Sequence, residues 1–296
     1  MAPRDLLLAL VVILAWGVNF VVIKLGLHGV PPMLLGTLRF CLAAFPAILF
    51  VRRPQVSWRL LLAYGLTISL GQFAFLFSAM YVGMPAGLAS LVLQAQAFFT
   101  LAFAATFLGE QVRRASLVGL LVAALGLLLI GTEHGVTMTL AGFLLTLAAA
   151  AMWGLGNIVT KKIGKVDMLG LVVWGSLIPP IPFFLLSLLL EGPEQIATAL
   201  TSLSAGSVFA IVYLAFIATL VGYGIWSRLL SRYPAGQVAP FSLLVPVVGL
   251  TSAAVLLGEQ MTLQQEVGGV AVMLGLLINV FGGRWLDARS KVSSGA

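Results

Sequence analysis

Charged residues are scarce in this chain of 296 residues. They make up 8% of the sequence, whereas hydrophobic residues make up 61%. A soluble protein keeps a large polar and charged fraction for its surface, and this sequence does not supply one. A soluble enzyme or a soluble binding domain is therefore excluded as the overall class. The composition predicts an integral membrane protein that crosses the bilayer several times.

Side chains that hold metals or carry out catalysis are also few. The chain has one cysteine, Cys41, and two histidines, His28 and His134, which fall at the ends of apolar runs. A single cysteine excludes an internal disulfide framework. A membrane-embedded enzyme would need several catalytic or metal-binding groups at membrane depth. We therefore predict no enzymatic activity, no metal site and no cofactor.

Acidic residues are lacking inside the apolar runs. All nine aspartates and glutamates fall at the ends of these runs or in the segments between them. Carriers driven by protons commonly place a carboxylate within the membrane, where desolvation favours the protonated form. The pattern therefore favours facilitated diffusion. Proton coupling remains an alternative, because a water chain or a terminal carboxylate such as Glu133 can relay protons.

What the sequence does contain is a series of apolar runs, long enough to cross a membrane as helices of about 20 residues. Divided at charged residues, prolines and glycines, the chain gives ten such spans. Their predicted ranges are 5–27, 32–51, 59–81, 85–108, 115–132, 139–163, 168–190, 206–231, 235–257 and 263–285. The segments between the spans are too short to form a soluble domain such as an ATPase module.

Basic residues are distributed unevenly between the two sides of the predicted membrane protein. One side would carry nearly all of them, the other side would carry only Lys24, and Arg39 falls inside the second span. Because cytoplasmic loops are enriched in lysine and arginine, we predict that both termini are cytoplasmic. The basic residues stand singly or in pairs between apolar runs, so the net charge of +7 predicts no binding of nucleic acid.

One pattern occurs twice in the chain. The Pro-Ala-Gly at 85–87, an apolar run and the Gly-Glu-Gln at 109–111 are matched at identical spacing at 234–236 and 258–260. With five spans in each copy, an odd number, the two copies must cross the membrane in opposite directions. Inverted repeats of this kind are typical of secondary transporters, whose substrate sites lie near the midplane between the two halves.

We therefore predict an all-α integral membrane protein, with ten transmembrane helices arranged as two inverted five-helix repeats around a central cavity. The first repeat would occupy residues 1–134, and the second, inverted repeat would occupy residues 135–285. Residues 286–296 are predicted to form a disordered cytoplasmic tail.

Glycine and proline positions predict how the helices end, pack and break. Each Gly-Glu-Gln is predicted to close one helix with its glycine and to place its glutamate at the positive N-terminus of the next helix. Glycines at heptad spacing in spans five and ten predict close packing at the edge of each bundle or against a partner chain. Prolines within spans seven and nine are candidate gating hinges, with a kink of no function as the alternative. The hinge candidates are Pro179, Pro180, Pro240 and Pro246.

Amide and aromatic side chains within the spans form the candidate substrate site. Amides are costly in hydrocarbon unless they are paired, and several of them share a helix face with an aromatic residue. Such mixtures are typical of ligand pockets, although hydrogen bonds between helices would satisfy the amides without a ligand. The predicted substrate-binding residues are Trp16, Asn19, Gln72, Gln94, Phe98, Trp153, Asn157, Tyr223 and Trp226.

Arg39 is the basic residue that lies deepest in a span, and no acidic residue is near it in the sequence. Two roles are open: it holds the carbonyls of a broken helix, which we favour, or it attracts a substrate carboxylate. Sugar phosphates and nucleotide sugars need clamps of lysine and arginine, and one deep arginine does not supply them. The residues favour a neutral or zwitterionic solute, with aromatic and large aliphatic amino acids fitting best.

Three features of the sequence carry a resemblance to a known family. They are Trp-Gly near the start of each half, at 16–17 and 153–154, Leu-Arg-Phe at 38–40, and Leu-Gly-Glu-Gln at 108–111 and 257–260. With the duplicated helix pattern, the chain resembles the EamA-type branch of the drug/metabolite transporter superfamily. Within that branch it is similar to the YddG-type bacterial exporters of amino acids.

The resemblance implies a cavity lined mainly by spans one, three, four, six, eight and nine, with spans five and ten at the periphery. It also implies a location in the bacterial inner membrane and export of small metabolites by alternating access. We expect a small-molecule substrate and the lipid bilayer as partners, and a monomer or weak homodimer. A proton-coupled drug or metabolite efflux carrier and a lipid-moving membrane protein are the alternatives.

Overall fold

The computed structural model describes residues 1–133 and 137–293. Within these ranges, ten helices are long and apolar enough to cross a membrane. They are α1 (Pro3–Leu27), α2 (Pro32–Leu49), α3 (Trp58–Tyr81), α4 (Ala86–Leu108), α5 (Arg114–Thr132), α6 (Leu140–Ile163), α7 (Met168–Leu190), α8 (Ala205–Arg232), α9 (Pro240–Leu257) and α10 (Leu263–Ser293). Two short helices, Pro193–Thr201 and Ala235–Val238, lie between α7 and α8 and before α9. The prediction of an all-α protein with ten spans is confirmed.

The predicted and observed boundaries differ mainly in the last two spans. The ninth begins at Pro240, because the short helix Ala235–Val238 is followed by tight 3₁₀ turns over Ala239–Leu244. The last helix continues to Ser293, so that part of the predicted tail is helical. Residues 294–296 of that tail, and His134, lie outside the described residues.

Left-handed glycines end two equivalent helices. Gly109 follows α4 with a φ of 65°, and Gly258 follows α9 with a φ of 66°. Glycine adopts this conformation without the steric penalty that a Cβ atom brings, which is why it commonly closes helices. The predicted role of these two glycines is confirmed.

Several spans depart from regular α-helix near the middle of the bundle. The third contains π-helical turns over Gly65–Gly71, and the eighth contains them over Tyr213–Val221, at an equivalent place in the second repeat. The fourth contains a 3₁₀ segment, Leu93–Ala95. The seventh is interrupted between Gly175 and Pro180. The breaks predicted at prolines are therefore present, and their role as gating hinges stays a prediction.

The two ends of the bundle differ in charge. At the basic end, where α1 begins and α8 finishes, the Tyr233 hydroxyl donates to Asp5 Oδ2 at 2.8 Å. At the acidic end, where α2 begins and α7 finishes, Glu191 accepts from the backbone N–H groups of Met33 at 2.6 Å and Leu34 at 3.1 Å. Basic residues lie mostly at the first end, and Glu133, Glu191 and Glu259 lie at the second.

Packing is tighter at the acidic end. The largest cluster of buried side chains includes, near that end, Ile23, Met80, Met84, Leu88 and Leu91, all at most 2% exposed. Near the basic end, a much smaller buried cluster is formed by Ala9, Leu229 and Val238. The helices are thus closed against one another at the acidic end.

Glycines bring α5 and α10 into backbone contact. A Cβ atom on Gly119 would lie 2.5 Å from the carbonyl oxygen of Gly275, and one on Gly126 would lie 2.5 Å from that of Gly268. Only glycine fits at such a separation, because small residues let helix backbones approach closely in membranes. The glycines predicted to pack against a helix do so, and the partner of α5 is α10.

The substitution Gly126→Val should force α5 away from α10 and lower the melting temperature of the purified protein in detergent. Overpacking of this kind costs about 1–3 kcal/mol. The neighbouring Leu125→Val is a matched control, because Leu125 is 62% exposed on the outside of the bundle. Thermal unfolding of both variants checks the prediction, and equal melting temperatures would contradict it.

Candidate functional site

A cavity of about 300 Å³ lies between the two repeats. All six helices implied by the family resemblance contribute to its lining, and α2 and α7 add Arg39 and Met168. The lining reaches the final turn of α6 at Thr160 and the final turns of α8 at Leu230, both at the basic end. Towards the acidic end it stops at Leu76, more than a turn before α3 finishes. The cavity therefore extends towards the basic end.

Eight of the nine predicted site residues line this cavity. They are Trp16, Asn19, Gln72, Gln94, Trp153, Asn157, Tyr223 and Trp226. The ninth, Phe98, is 5% exposed and belongs to the hydrophobic core. The prediction placed Phe98 on the same helix face as Gln94, which assumes an unbroken α-helix. The 3₁₀ segment Leu93–Ala95 changes the rotation per residue, so the two side chains no longer share a face.

Three aromatic rings form one wall of the cavity. The Trp16 ring lies 5.2 Å from the Tyr223 ring and 5.4 Å from the Trp226 ring, measured between centroids. The Trp16 Nε1–H donates to the carbonyl oxygen of Ala218 at 2.9 Å, within the π-helical turns of α8. The indole fits there because a Cβ atom on Gly222 would lie 2.5 Å from Trp16 Nε1. The wall is mainly apolar, and the polar edge of Trp16 is satisfied.

The two related asparagines have different surroundings. The Asn157 Nδ2 donates to Gln96 Oε1 and to Thr100 Oγ1, at 2.9 Å each. These bonds join α6 to α4. They agree with the alternative that hydrogen bonds between helices satisfy the amides. By contrast, the Oδ1 atom of Asn19 is buried without a hydrogen-bond partner in the described protein. Asn19 therefore has a buried acceptor without a partner, whereas the Asn157 amide is held by its donor group.

Arg39 is 2% exposed and projects into the lining from α2. Its Nη2 donates to Thr219 Oγ1 at 3.2 Å, and its Cζ lies 3.8 Å from the centroid of the Phe73 ring. Cation–π contact of this kind stabilises a buried guanidinium through its flat face. The favoured prediction, that this arginine holds the carbonyls of a broken helix, is wrong, since the partner is a hydroxyl.

Four buried side-chain atoms lack a hydrogen-bond partner in the part of the chain that the structure describes. They are Asn19 Oδ1, Gln72 Oε1, Arg39 Nε and Arg39 Nη1. All three residues line the same cavity. Buried polar groups in proteins are normally paired, so their concentration at one place makes this cavity the candidate binding site.

Glu259 binds the start of α4, in the other repeat. Its two carboxylate oxygens accept from the backbone N–H groups of Ala86 at 2.8 Å and Gly87 at 2.9 Å. The prediction that this glutamate caps the next helix is wrong, because α4 offers its free N–H groups at closer reach. Nearby, Lys24 Nζ donates to the carbonyl oxygen of Met80, at the end of α3, at 3.1 Å. Both contacts lie at the acidic end.

The equivalent residues at the basic end contact each other. Lys161 corresponds to Lys24 in the repeat, and Glu110 corresponds to Glu259. The Lys161 Nζ lies 3.0 Å and 2.8 Å from the two carboxylate oxygens of Glu110, and both side chains are about half exposed. Two ends with the same sequence pattern thus have different polar contacts.

Sequence reasoning did not identify some of the lining residues. Tyr64 and Gln96 line the cavity but were not predicted. Gln96 follows Gln94 by two residues, a spacing that points to opposite faces in a regular α-helix.

Comparison with solved structures supports the fold. A crystal structure matches with a TM-score of 0.63 and 20% sequence identity, over 94% of this chain and 98% of that chain. At this level of identity the likeness concerns the fold alone.

Comparison with sequences identifies relatives along the whole chain. A probable amino-acid metabolite efflux pump of Salmonella typhimurium is 56% identical over 290 residues, which cover 96% of this chain and 97% of that protein. A protein of Escherichia coli with the same name is 53% identical over 294 residues, covering 97% and 98%. A probable terminal-alkyne amino-acid exporter of Streptantibioticus cattleyicolor is 27% identical over 277 residues, covering 90% of each chain.

The model of the EamA-like transporter family matches residues 4–132 and 140–281, one match in each repeat. These two ranges contain nearly all of the ten membrane-spanning segments and every described residue that lines the cavity. The chain therefore belongs to the EamA-like transporter family.

Proposed function

We propose that this protein exports amino acids from the bacterial cytoplasm, with a preference for aromatic and large aliphatic side chains. The observation that carries the proposal is the cavity, which combines an aromatic wall, amides and one buried arginine. The names of the efflux pumps and of the exporter among its relatives support the same substrate class.

The size of the cavity favours a small solute. Its volume of about 300 Å³ lies at the lower limit of the range of small-molecule pockets, roughly 300–1,000 Å³. An amino acid suits this volume better than a nucleotide sugar does. Among the described residues that line the cavity, Arg39 is the one cation. A single arginine does not form the clamp of several cations that a diphosphate needs.

Purified protein in liposomes should take up phenylalanine, methionine and leucine in preference to a nucleotide sugar. Trp226→Ala should reduce phenylalanine uptake more than alanine uptake, because an aromatic pair contributes about 0.5–1.5 kcal/mol beyond its buried area. Trp58→Ala is the matched control, since Trp58 is 59% exposed and does not line the cavity. Radiolabelled uptake measures both ratios. Movement of lipids alone would favour the lipid-moving alternative.

The unequal ends of the bundle support alternating access. In an inverted repeat, each end can adopt the arrangement that the other end has. The acidic end is closed, with Glu259 bound to the start of α4 and Lys24 bound to the end of α3. The basic end, towards which the cavity extends, has the Lys161–Glu110 pair instead.

The second state follows by exchanging these contacts between the ends. With the basic end closed, Glu110 binds the backbone N–H groups at the start of Ala235–Val238. Lys161 then binds the carbonyl of Leu229, which is equivalent to Met80. Each of these two residues precedes the Pro-Ala-Gly of its own repeat by five positions. Lys24 and Glu259 pair with each other at the open acidic end. Each end thus alternates between a helix-binding and an ion-pair arrangement.

Glu259→Gln and Glu110→Gln should shift the two states in opposite directions. Each removes a carboxylate that caps a helix in one state, an effect of about 1 kcal/mol or roughly fivefold in population. The exposed ion pair lost in the other state contributes less. Glu110→Gln therefore favours the present state, and Glu259→Gln disfavours it.

The measurement uses Ser227→Cys, in the cavity lining near the basic end, on a Cys41→Ser background. Its labelling by a membrane-impermeant maleimide should be faster with Glu110→Gln and slower with Glu259→Gln. Ser202→Cys, which is exposed outside the cavity, serves as a control for reagent access. Shifts of the same sign in both variants would contradict the exchange.

We also propose that transport is facilitated diffusion. No acidic residue occurs among the described residues that line the cavity. Glu133, the terminal carboxylate considered for a proton relay, accepts from Thr262 Oγ1 where α5 meets α10. That position is outside the cavity lining, so it offers no direct proton path to the substrate.

Imposing a pH gradient on the liposomes should leave the final accumulation ratio of phenylalanine unchanged, because no proton moves with the zwitterion. Glu133→Gln should behave in the same way. Final internal and external concentrations, with and without a protonophore, give the ratio. Concentrative uptake that collapses with the protonophore would establish proton coupling instead.

A further inference from the structure

We infer that Arg39, Asn19 and Gln72 form a subsite for the charged ends of an α-amino acid. Arg39 binds the α-carboxylate, and the side-chain oxygens of Asn19 and Gln72 accept from the α-ammonium group. The inference rests on the proposed function and specifies how the same cavity selects a zwitterion.

Arg39 carries a buried positive charge that has no acidic partner in the described lining. Arginine keeps its proton in proteins and offers five N–H donors, yet Arg39 uses only its Nη2 here, on the neutral Thr219 hydroxyl. A buried charge without a partner is strongly unfavourable. Since the described lining contains no acidic side chain, the compensating negative charge comes from the ligand.

The orientation of the guanidinium fits this role. One flat face is covered by the Phe73 ring at 3.8 Å, and the Phe40 ring lies 5.1 Å from Cζ. Stacking leaves the edge of the group, where its N–H donors point, for a partner in the plane. A planar carboxylate is the partner that matches such an edge.

Two unused acceptors in the cavity lining match an ammonium group. Asn19 Oδ1 and Gln72 Oε1 are buried on residues that are 8% and 4% exposed. A carboxylate offers no donor to them, whereas an ammonium group offers three. Unused donors and unused acceptors in the lining of one cavity together match a group that carries both charges.

Helix direction places the rest of the substrate. In α1, Trp16 precedes Asn19 by three residues and is nearer the basic end. In α8, Tyr223 follows Thr219 by four residues and is also nearer that end. The aromatic wall therefore begins about one helical turn from the polar subsite. The charged ends lie deeper, and the apolar side chain points towards the basic end.

The subsite belongs to the first repeat alone. Arg39 is matched in the second repeat by Ser176, whose hydroxyl donates to the carbonyl of Val172 at 2.7 Å. At the same spacing Asn19 is matched by Gly156, and the adjacent Asn157 uses its Nδ2 to donate to Gln96 and Thr100. A symmetric pair of subsites is thus absent from the described residues, and one substrate orientation is favoured.

Binding measurements on the purified protein test the contributions of the carboxylate and of the ammonium group separately. The probes are phenylalanine, phenethylamine, which lacks the carboxylate, and 3-phenylpropionate, which lacks the ammonium group. Calorimetry should show phenylalanine binding roughly tenfold to a hundredfold more tightly than either analogue, as expected for hydrogen bonds to charged groups. Arg39→Gln should remove the preference over phenethylamine, and Gln72→Met should reduce the preference over 3-phenylpropionate, because Asn19 Oδ1 remains as an acceptor.

Arg53→Gln is the matched control, since Arg53 is exposed outside the cavity, where it stacks on Trp58. It should leave both preferences unchanged. Binding of phenethylamine by Arg39→Gln also reports that this variant is folded. If it does not fold, Arg39→Lys keeps the charge without the planar edge and should reduce the same preference.

The outcomes distinguish this inference from the proposed function. If the wild-type protein binds no amino acid, the proposed function fails and this inference fails with it. If it binds phenylalanine, but the folded Arg39 variant keeps the full preference over phenethylamine, the subsite is overturned and amino-acid export stands.

Discussion

Every backbone polar group within the hydrocarbon layer has to find its partner inside the protein, and much of this structure follows from that constraint. The π-helical turns of α3 and α8 and the 3₁₀ segment of α4 lie beside the cavity. There, side chains take over part of the pairing. Thr219 Oγ1 donates to the carbonyl of Leu214, and Trp16 Nε1 donates to that of Ala218. The irregular backbone of these spans and the cavity therefore occur at the same place in the protein.

The spans were predictable because membrane insertion depends on the apolar content of a local segment, which the sequence displays directly. The first eight agree with the structure to within two residues at each end. Eight residues of the cavity lining were also predictable, since a polar side chain in an apolar span needs a reason to be there. Phe98 was placed in the lining because periodicity assumes one helix geometry throughout, and α4 changes geometry just before it.

The contacts of Arg39 and Glu259 could not be derived in this way. Each depends on which helices meet in three dimensions: Glu259 binds N–H groups far away in the sequence, and Arg39 reaches a hydroxyl of the other repeat. A duplicated sequence also does not show how the contacts of its two copies differ. Lys24 and Lys161 are equivalent in the pattern, yet one binds a helix end and the other binds a carboxylate. One conformation of an inverted repeat assigns different partners to identical motifs.

The close contact of α5 with α10 has a mechanical consequence. The backbones touch at Gly119 and Gly275 and again at Gly126 and Gly268, so no layer of side chains separates them. Such an interface has little freedom to slide, because a shift along it would bring larger neighbouring residues into the gap. One helix comes from each repeat, and neither lines the cavity. A movement of one repeat relative to the other that keeps these contacts would have to be a rotation about the α5–α10 pair, at the edge of the molecule.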